Sequence, residues 1–292
     1  MDNLLIDNDA TWTCLKIAQL AQWALQEEVL LTPKPGLVDA ADNGAHRDLS
    51  LELMLLSAQT LTPYFTEMSS VAWGQPTGKL LREKIGEIGR DAESAMLLAT
   101  RQVNTHRGAI WALGLISAAA AQNNRQSDAV SLCARAGAIA RLNDKYIPIT
   151  FSKGKSACQR YQVTGAKEEA QQGFPSIIKL ALPTLRASRA KGDSEQAARL
   201  NALLVLMANI NDTCVLSRGG ENALLTVQHF CQEIIDGGGV AAENGMSQLL
   251  KLGEIMIEGN LSPGGAADLL SATLFIDALE NKLISRFHYA TN

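Results

Sequence analysis

The run Gly108-Ala109-Ile110-Trp111-Ala112-Leu113-Gly114-Leu115-Ile116-Ser117-Ala118-Ala119-Ala120-Ala121 decides the fold class. It is apolar all round a helical wheel, and a helix of that kind is a buried one. Its apolar part, Ala109 to Ala121, is shorter than the roughly 20 residues needed to span a bilayer. A central core helix is predicted, and no membrane segment. Outward from it, apolar residues recur every three to four positions. Helices are predicted over residues 11–31, 49–68, 81–104, 127–142, 173–190, 194–209, 220–236, 246–258 and 264–283. Pro33 and Pro35 stop the first, and Pro183 should kink or divide the segment that contains it. Asp193 and Gln196 have the spacing of a capping box. No period-2 run, linker or repeat interrupts this pattern. The expected fold is all-α: one compact domain of roughly ten helices over residues 1–292, with the active site at helix junctions.

Composition agrees. Hydrophobic residues are 47% of the chain but aromatics only 5%, so Ala and Leu, both helix formers, dominate. The formal net charge of −4 lacks the basic excess of a nucleic-acid binder, and no nucleic-acid partner is expected. The first ten residues carry three Asp and no Lys or Arg, the opposite of a secretory n-region. Cys14, Cys133, Cys158, Cys214 and Cys231 make no C-x-x-C pair, which reads as reduced thiols in a cytoplasmic protein. Ala-rich helix faces would permit a homodimer.

Polar residues that a bundle does not need gather at four junctions. Lys34-Pro35-Gly36-Leu37-Val38-Asp39 runs on to Asn43-Gly44-Ala45-His46-Arg47-Asp48. Its plain reading is a solvated loop with Asp48 capping the next helix. Asn104-Thr105-His106-Arg107-Gly108 opens the apolar helix. A helix start favours an anion, although Asn104 or Thr105 could simply cap it and His106 could pack in the core. Asn211-Asp212-Thr213 and Ser217-Arg218-Gly219-Gly220-Glu221 place Arg beside a Gly pair, a sensible phosphate site or else a surface turn. In Ser262-Pro263-Gly264-Gly265-Ala266-Ala267-Asp268, Ser and Pro are ordinary capping residues. The Gly pair costs helix stability without serving a cap, and Asp268 is a lone acid on an apolar helix. Walker A, G-x-S-x-G and H-E-x-x-H motifs are absent.

Taken together, and with Gly173-Phe174-Pro175 and Ala181-Leu182-Pro183 between them, these strings resemble the triphosphoribosyl-dephospho-CoA synthase family over about residues 25–275. Members of that family often have Gly where this chain has Asn211. The resemblance implies a transferase. ATP and 3′-dephospho-CoA would give 2′-(5″-triphosphoribosyl)-3′-dephospho-CoA and adenine. That product is the prosthetic-group precursor for the acyl carrier protein of citrate lyase or malonate decarboxylase. A helical Mg²⁺-dependent nucleotide hydrolase is the alternative.

Displacement at ribose C1 passes through an oxocarbenium-like state. The site must therefore bind a triphosphate, assist adenine departure and deprotonate a ribose 2′-hydroxyl. Lys34, Asn104, Arg107, Ser217 and Arg218 are the candidate substrate-binding side chains, with Gly219, Gly220, Gly264 and Gly265 as backbone donors. Glu28, Asp39, Asp212 and Glu221 are candidate Mg²⁺ ligands. His46 or Asp48 is the candidate base, and His106 the candidate acid toward adenine.

Overall fold

A computed structural model describes residues 2–122, 128–147 and 153–289, with side chains described between residues 10 and 281 of these. Among the described residues there are twelve α-helices and no strand. In chain order they are α1 (Asp2–Leu30), α2 (Leu51–Ala72), α3 (Lys79–Ala99), α4 (Arg107–Gln122), α5 (Ala129–Arg141), α6 (Lys153–Tyr161), α7 (Ala166–Gln171), α8 (Leu182–Lys191), α9 (Glu195–Asn209), α10 (Thr213–Asp236), α11 (Gly245–Glu258) and α12 (Gly264–Tyr289). The all-α expectation holds.

The apolar run is α4, and it sits at the centre. It packs against α1, α2, α3, α5, α7 and α12. Eleven of its sixteen residues are buried, among them Leu113, Leu115 and Ile116. Each such aliphatic side chain contributes about 1.5–3 kcal/mol by leaving water. Trp111 is half-buried and lines a cavity, with its indole N–H donating to the Ala166 carbonyl at the start of α7. No single helix among the described residues is long and apolar enough to cross a membrane. All five cysteines are free thiols.

Several boundaries differ from expectation for physical reasons. The third helix stops at Ala99, not near Asn104, because the Thr100 hydroxyl bonds to the Met96 and Val103 carbonyls and folds the chain back. The segment around Pro183 is divided, as expected. A π-helical turn, Ile177–Ala181, precedes α8, and the Leu182 N–H reaches back to the Ile177 carbonyl. Two caps are corrected. The residue capping α9 is Ser194, whose hydroxyl accepts from the Ala197 N–H at 3.2 Å, while Asp193 accepts from the Ser188 hydroxyl. The residue capping α2 is Ser50, not Asp48. Helices α6 and α7 were not anticipated: at nine and six residues they are too short, and α6 too polar on average, to stand out as helices in the sequence. The helix expected from residue 220 begins at Thr213 and is broken at Gly220, whose φ is 74°.

The Ser194 cap gives a direct check. Ser194→Ala should cost about 1 kcal/mol in chemical denaturation. An effect below a few tenths would show that the cap is not used.

Candidate active site

A cavity of about 2340 Å³ opens between the first junction, the inner face of α3, helices α6 and α7, and the starts of α4, α10 and α12. Three helix N-termini thus face one space, each with unpaired N–H groups and a partial positive charge.

Asp212 joins two of them. Its Oδ1 accepts from the N–H groups of Cys214 and Val215 at the start of α10, at 2.8 and 3.3 Å. Its Oδ2 accepts from Ala266 N–H at the start of α12, at 3.0 Å. Glycines make the approach possible. A Cβ on Gly265 would lie 3.1 Å from the Asp212 carboxylate, and one on Gly264 would lie 3.1 Å from Cys214 Sγ. The third N-terminus meets Asp268, whose carboxylate lies against the first turn of α4. A Cβ on Gly108 would overlap the Asp268 carboxylate. Burial, together with the charges of Glu28 and Asp212, pushes the Asp268 carboxyl well above its ordinary range. Burial also raises Asp212 and Glu28, against hydrogen bonds or charges that lower them.

Lys34 crosses this floor. Its ammonium donates to the Glu28 carbonyl and to Glu28 Oε1, each at 2.5 Å. Its loop is held by Asp39, which accepts from the N–H groups of Lys34, Ala41 and Asp42. Beside it His106 is buried, with Nδ1 2.8 Å from the Ser57 hydroxyl and Nε2 without a partner among the described residues. Burial and the Lys34 charge lower His106 to about 3.

At the mouth, Arg218 donates to the carbonyls of Ala45 and Asn260 and to His46 Nδ1 at 3.2 Å. Arginine has no acceptor, so Nδ1 must carry the lone pair. The proton of the neutral ring is then on Nε2, which donates to Ser262 Oγ at 2.8 Å. Burial and the Arg218 charge lower His46. Arg107 is paired with Glu93, and its backbone N–H donates to Asn104 Oδ1, which caps α4.

Of the predicted residues, Glu28, Lys34, His46, Asp48, Asn104, His106, Arg107, Asp212, Ser217, Arg218, Gly264 and Gly265 all line the cavity. The others do not. Asp39 is not among the lining residues and spends both carboxylate oxygens on its own loop, so it is no metal ligand. Glu221 is exposed beyond the break in α10. Gly219 and Gly220 do not line the cavity either; Gly219 allows close packing against Leu261 and Ala223, and Gly220 supplies the break. His106 is neutral at ordinary pH, so it cannot act as an imidazolium acid. The Asp48 carboxylate is 69% exposed and stands 3.6 Å from His46 Nδ1. Asp212 is largely occupied as a clamp between helix starts. Among the described residues, no group of three His, Cys, Asp or Glu stands at metal-binding distance.

The α3 stripe of Arg82, Ile85, Gly86, Gly89, Arg90 and Glu93 also lines the cavity, which motif spacing does not reveal. Its signal was present. Gly86 and Gly89 lie inside a helix, where each costs about 1 kcal/mol relative to Ala, beside two arginines.

Comparison with known proteins bears directly on this site. The family model for the ATP:dephospho-CoA triphosphoribosyl transferases matches residues 14–287. The chain belongs to this family. It is 49% identical to the 2-(5″-triphosphoribosyl)-3′-dephosphocoenzyme-A synthase of Klebsiella pneumoniae, over 89% of this chain and 93% of that one. It is 50% identical to a probable synthase of the same name from Pseudomonas fluorescens strain Pf0-1, over 91% and 92%. No solved structure matches it.

Two measurements test the geometry. Asp212→Ala removes caps from two helices and should cost about 2–4 kcal/mol, since each cap is worth about 1–2. A loss under 1 kcal/mol would show that the clamp is not used. His106 has a folded pKa near 3 against about 6.5 unfolded. The unfolded chain therefore binds the extra proton between these values, and stability falls as pH drops through that window. By pH 5 the loss from this residue is about 2 kcal/mol. His106→Asn should flatten that part of the stability curve; an unchanged slope would mean His106 is not buried neutral.

Proposed function

We propose that the chain transfers the triphosphoribosyl group of ATP to the ribose 2′-hydroxyl of 3′-dephospho-CoA and releases adenine. The carrying observation is the cavity itself. Three helix N-termini, Lys34, Arg107 and Arg218 converge on a space more than twice the upper end of ordinary ligand pockets, about 1,000 Å³. That is room for two nucleotides, with cationic side chains and helix starts to meet their phosphates.

In this reading, the triphosphate is held by Arg218, Lys34 and the N–H groups of Gly264 and Gly265. Phosphate drawing the Arg218 guanidinium away frees the Nδ1 lone pair of His46, which then takes the proton of the attacking hydroxyl. His106, held neutral, meets the departing adenine through its unpartnered Nε2 by a hydrogen bond; the ribose C1–N bond breaks with its electron pair going to adenine, which takes its proton from water, while His46 returns the hydroxyl proton to solvent.

Mg²⁺ fits here as the partner of the triphosphate. It commonly takes only one or two carboxylates and completes its shell with phosphate oxygens and water. Asp268 and Glu28 would hold it, because their carboxylates repel each other across the floor and lack a matching cation beyond Lys34. It would screen the charge of the triphosphate. A homodimer and a cytoplasmic location complete the proposal; Leu80 and Leu98, 83% and 78% exposed on α3, are apolar surface that a second copy would cover.

Incubation with ATP, Mg²⁺ and dephospho-CoA should release adenine in step with dephospho-CoA consumed. Formation of ADP would overturn the transfer, and adenine released without dephospho-CoA would mark a hydrolase instead. Arg218→Ala should weaken ATP binding at least tenfold with helicity intact. Unchanged binding would remove Arg218 from the phosphate site.

A further inference from the structure

The two proposed substrates share a feature that one anion site cannot serve. Each presents a reacting ribose with a polyphosphate on its 5′ carbon, and the two arms repel. Arg218 and Lys34 provide for one arm. The wall formed by α3 holds a second cationic centre that the reading above does not use.

Arg82 is 3% exposed, yet its Nε has no hydrogen-bond partner among the described residues. Its Nη1 lies 3.5 Å from Asp144 Oδ2, at the weak limit of a hydrogen bond. Arg90 makes the better bond to that same oxygen, at 2.7 Å. Two guanidinium groups thus share one carboxylate, which leaves a net positive charge in a desolvated wall. Burial alone would raise Asp144, but the hydrogen bonds from Arg90 and Tyr146 N–H and the two arginine charges outweigh it and keep Asp144 ionised. A buried donor left unmade costs about 1–3 kcal/mol, so a simple tether between α3 and the chain after α5 would not leave Arg82 this way.

The centre is also built to hold its shape. The Arg82 guanidinium lies 5.2 Å from the Trp111 ring centroid, which fixes its plane. Gly86 lets Asp144 press against the α3 backbone, where a Cβ would overlap the carboxylate. Arg82, Arg90, Asp144 and Trp111 all line the cavity. Trp111 stands one turn along α4 from Gly108, which touches Asp268.

We infer that Arg82 and Arg90, set by Asp144 and Trp111, form a second polyphosphate subsite, which binds the 5′-polyphosphate arm of one of the two ribonucleotide substrates. The inference rests on the transfer reading for its substrates, but the anion site can be tested without turnover. Titration calorimetry of the unmodified protein with inorganic tripolyphosphate and with pyrophosphate should show two classes of site, and Arg90→Gln should weaken one of them at least tenfold while sparing the other. Arg90 is the variant of choice because its side chain is 31% exposed and tolerates change better than Arg82. Arg82→Lys keeps the charge and tests the fork geometry.

In turnover, Arg90→Gln should raise the KM of one substrate at least tenfold with a smaller effect on kcat. A rise for ATP assigns the triphosphate arm, and a rise for dephospho-CoA assigns its pyrophosphate. Equal binding of both anions by the unmodified protein and Arg90→Gln would overturn the subsite. So would unchanged KM values alongside a lowered melting temperature, which is what a purely structural tether gives. If no adenine is released at all, the transfer reading fails, while a calorimetric loss in Arg90→Gln still supports the anion site.

Discussion

Three helix N-termini cannot meet at one point without anions, and much of this molecule follows from that constraint. Each end carries roughly half a unit of positive charge and unpaired N–H groups. Asp212 answers two of these ends and Asp268 the third. Once both acids are in place, carboxyl groups crowd the floor, where burial and their mutual repulsion favour the protonated form, and Lys34 on Glu28 is the nearest counterweight. A cation arriving with a polyanion would relieve that crowding, which is the electrostatic argument for the Mg²⁺ of the proposed reaction.

Close approach is the second constraint, and glycine is how the chain meets it. Gly108 admits Asp268, Gly265 admits Asp212, and Gly86 admits Asp144. All three lie in helices, where glycine is a poor choice for stability. In each case the small residue lets a carboxylate touch helix backbone that any Cβ would cover. The same rule explains Gly114 inside α4, where a Cβ would lie 2.6 Å from Met68 Sδ. There the visitor is apolar, and the result is packing rather than a site.

These constraints decide what could be read without coordinates. The all-apolar run from Ala109 to Ala121 announces a buried helix because no exposed helix tolerates that pattern. The junction residues stand out because loops and helix starts do not need Lys, Arg and His beside glycine. Asp39 is hard to read because a carboxylate in a motif looks the same whether it ligates a metal or ties its own loop, and the hydrogen bonds from Lys34, Ala41 and Asp42 show the latter. Glu221 stands outside the cavity because the helix breaks just before it, at Gly220. Helices α6 and α7 are too short, and α6 too polar on average, to stand out as helices. Arg82 and Arg90 were hidden most fully, because charges within a long helix ordinarily form its solvated face.

The net charge of −4 now has a different meaning from the one composition suggests. A global count disfavours phosphate-rich ligands only if charge is spread evenly over the surface. Here acids and bases that matter are inside, in fixed sets: Glu28 with Lys34, and Asp144 with Arg82 and Arg90. A desolvated pair is held at a cost that the pair alone hardly recovers. His46 is bound up in the same logic, since the group that occupies its lone pair, Arg218, is one that a phosphate would recruit. Arrival of the anion would then release the base, so that binding and proton transfer are linked through a single guanidinium.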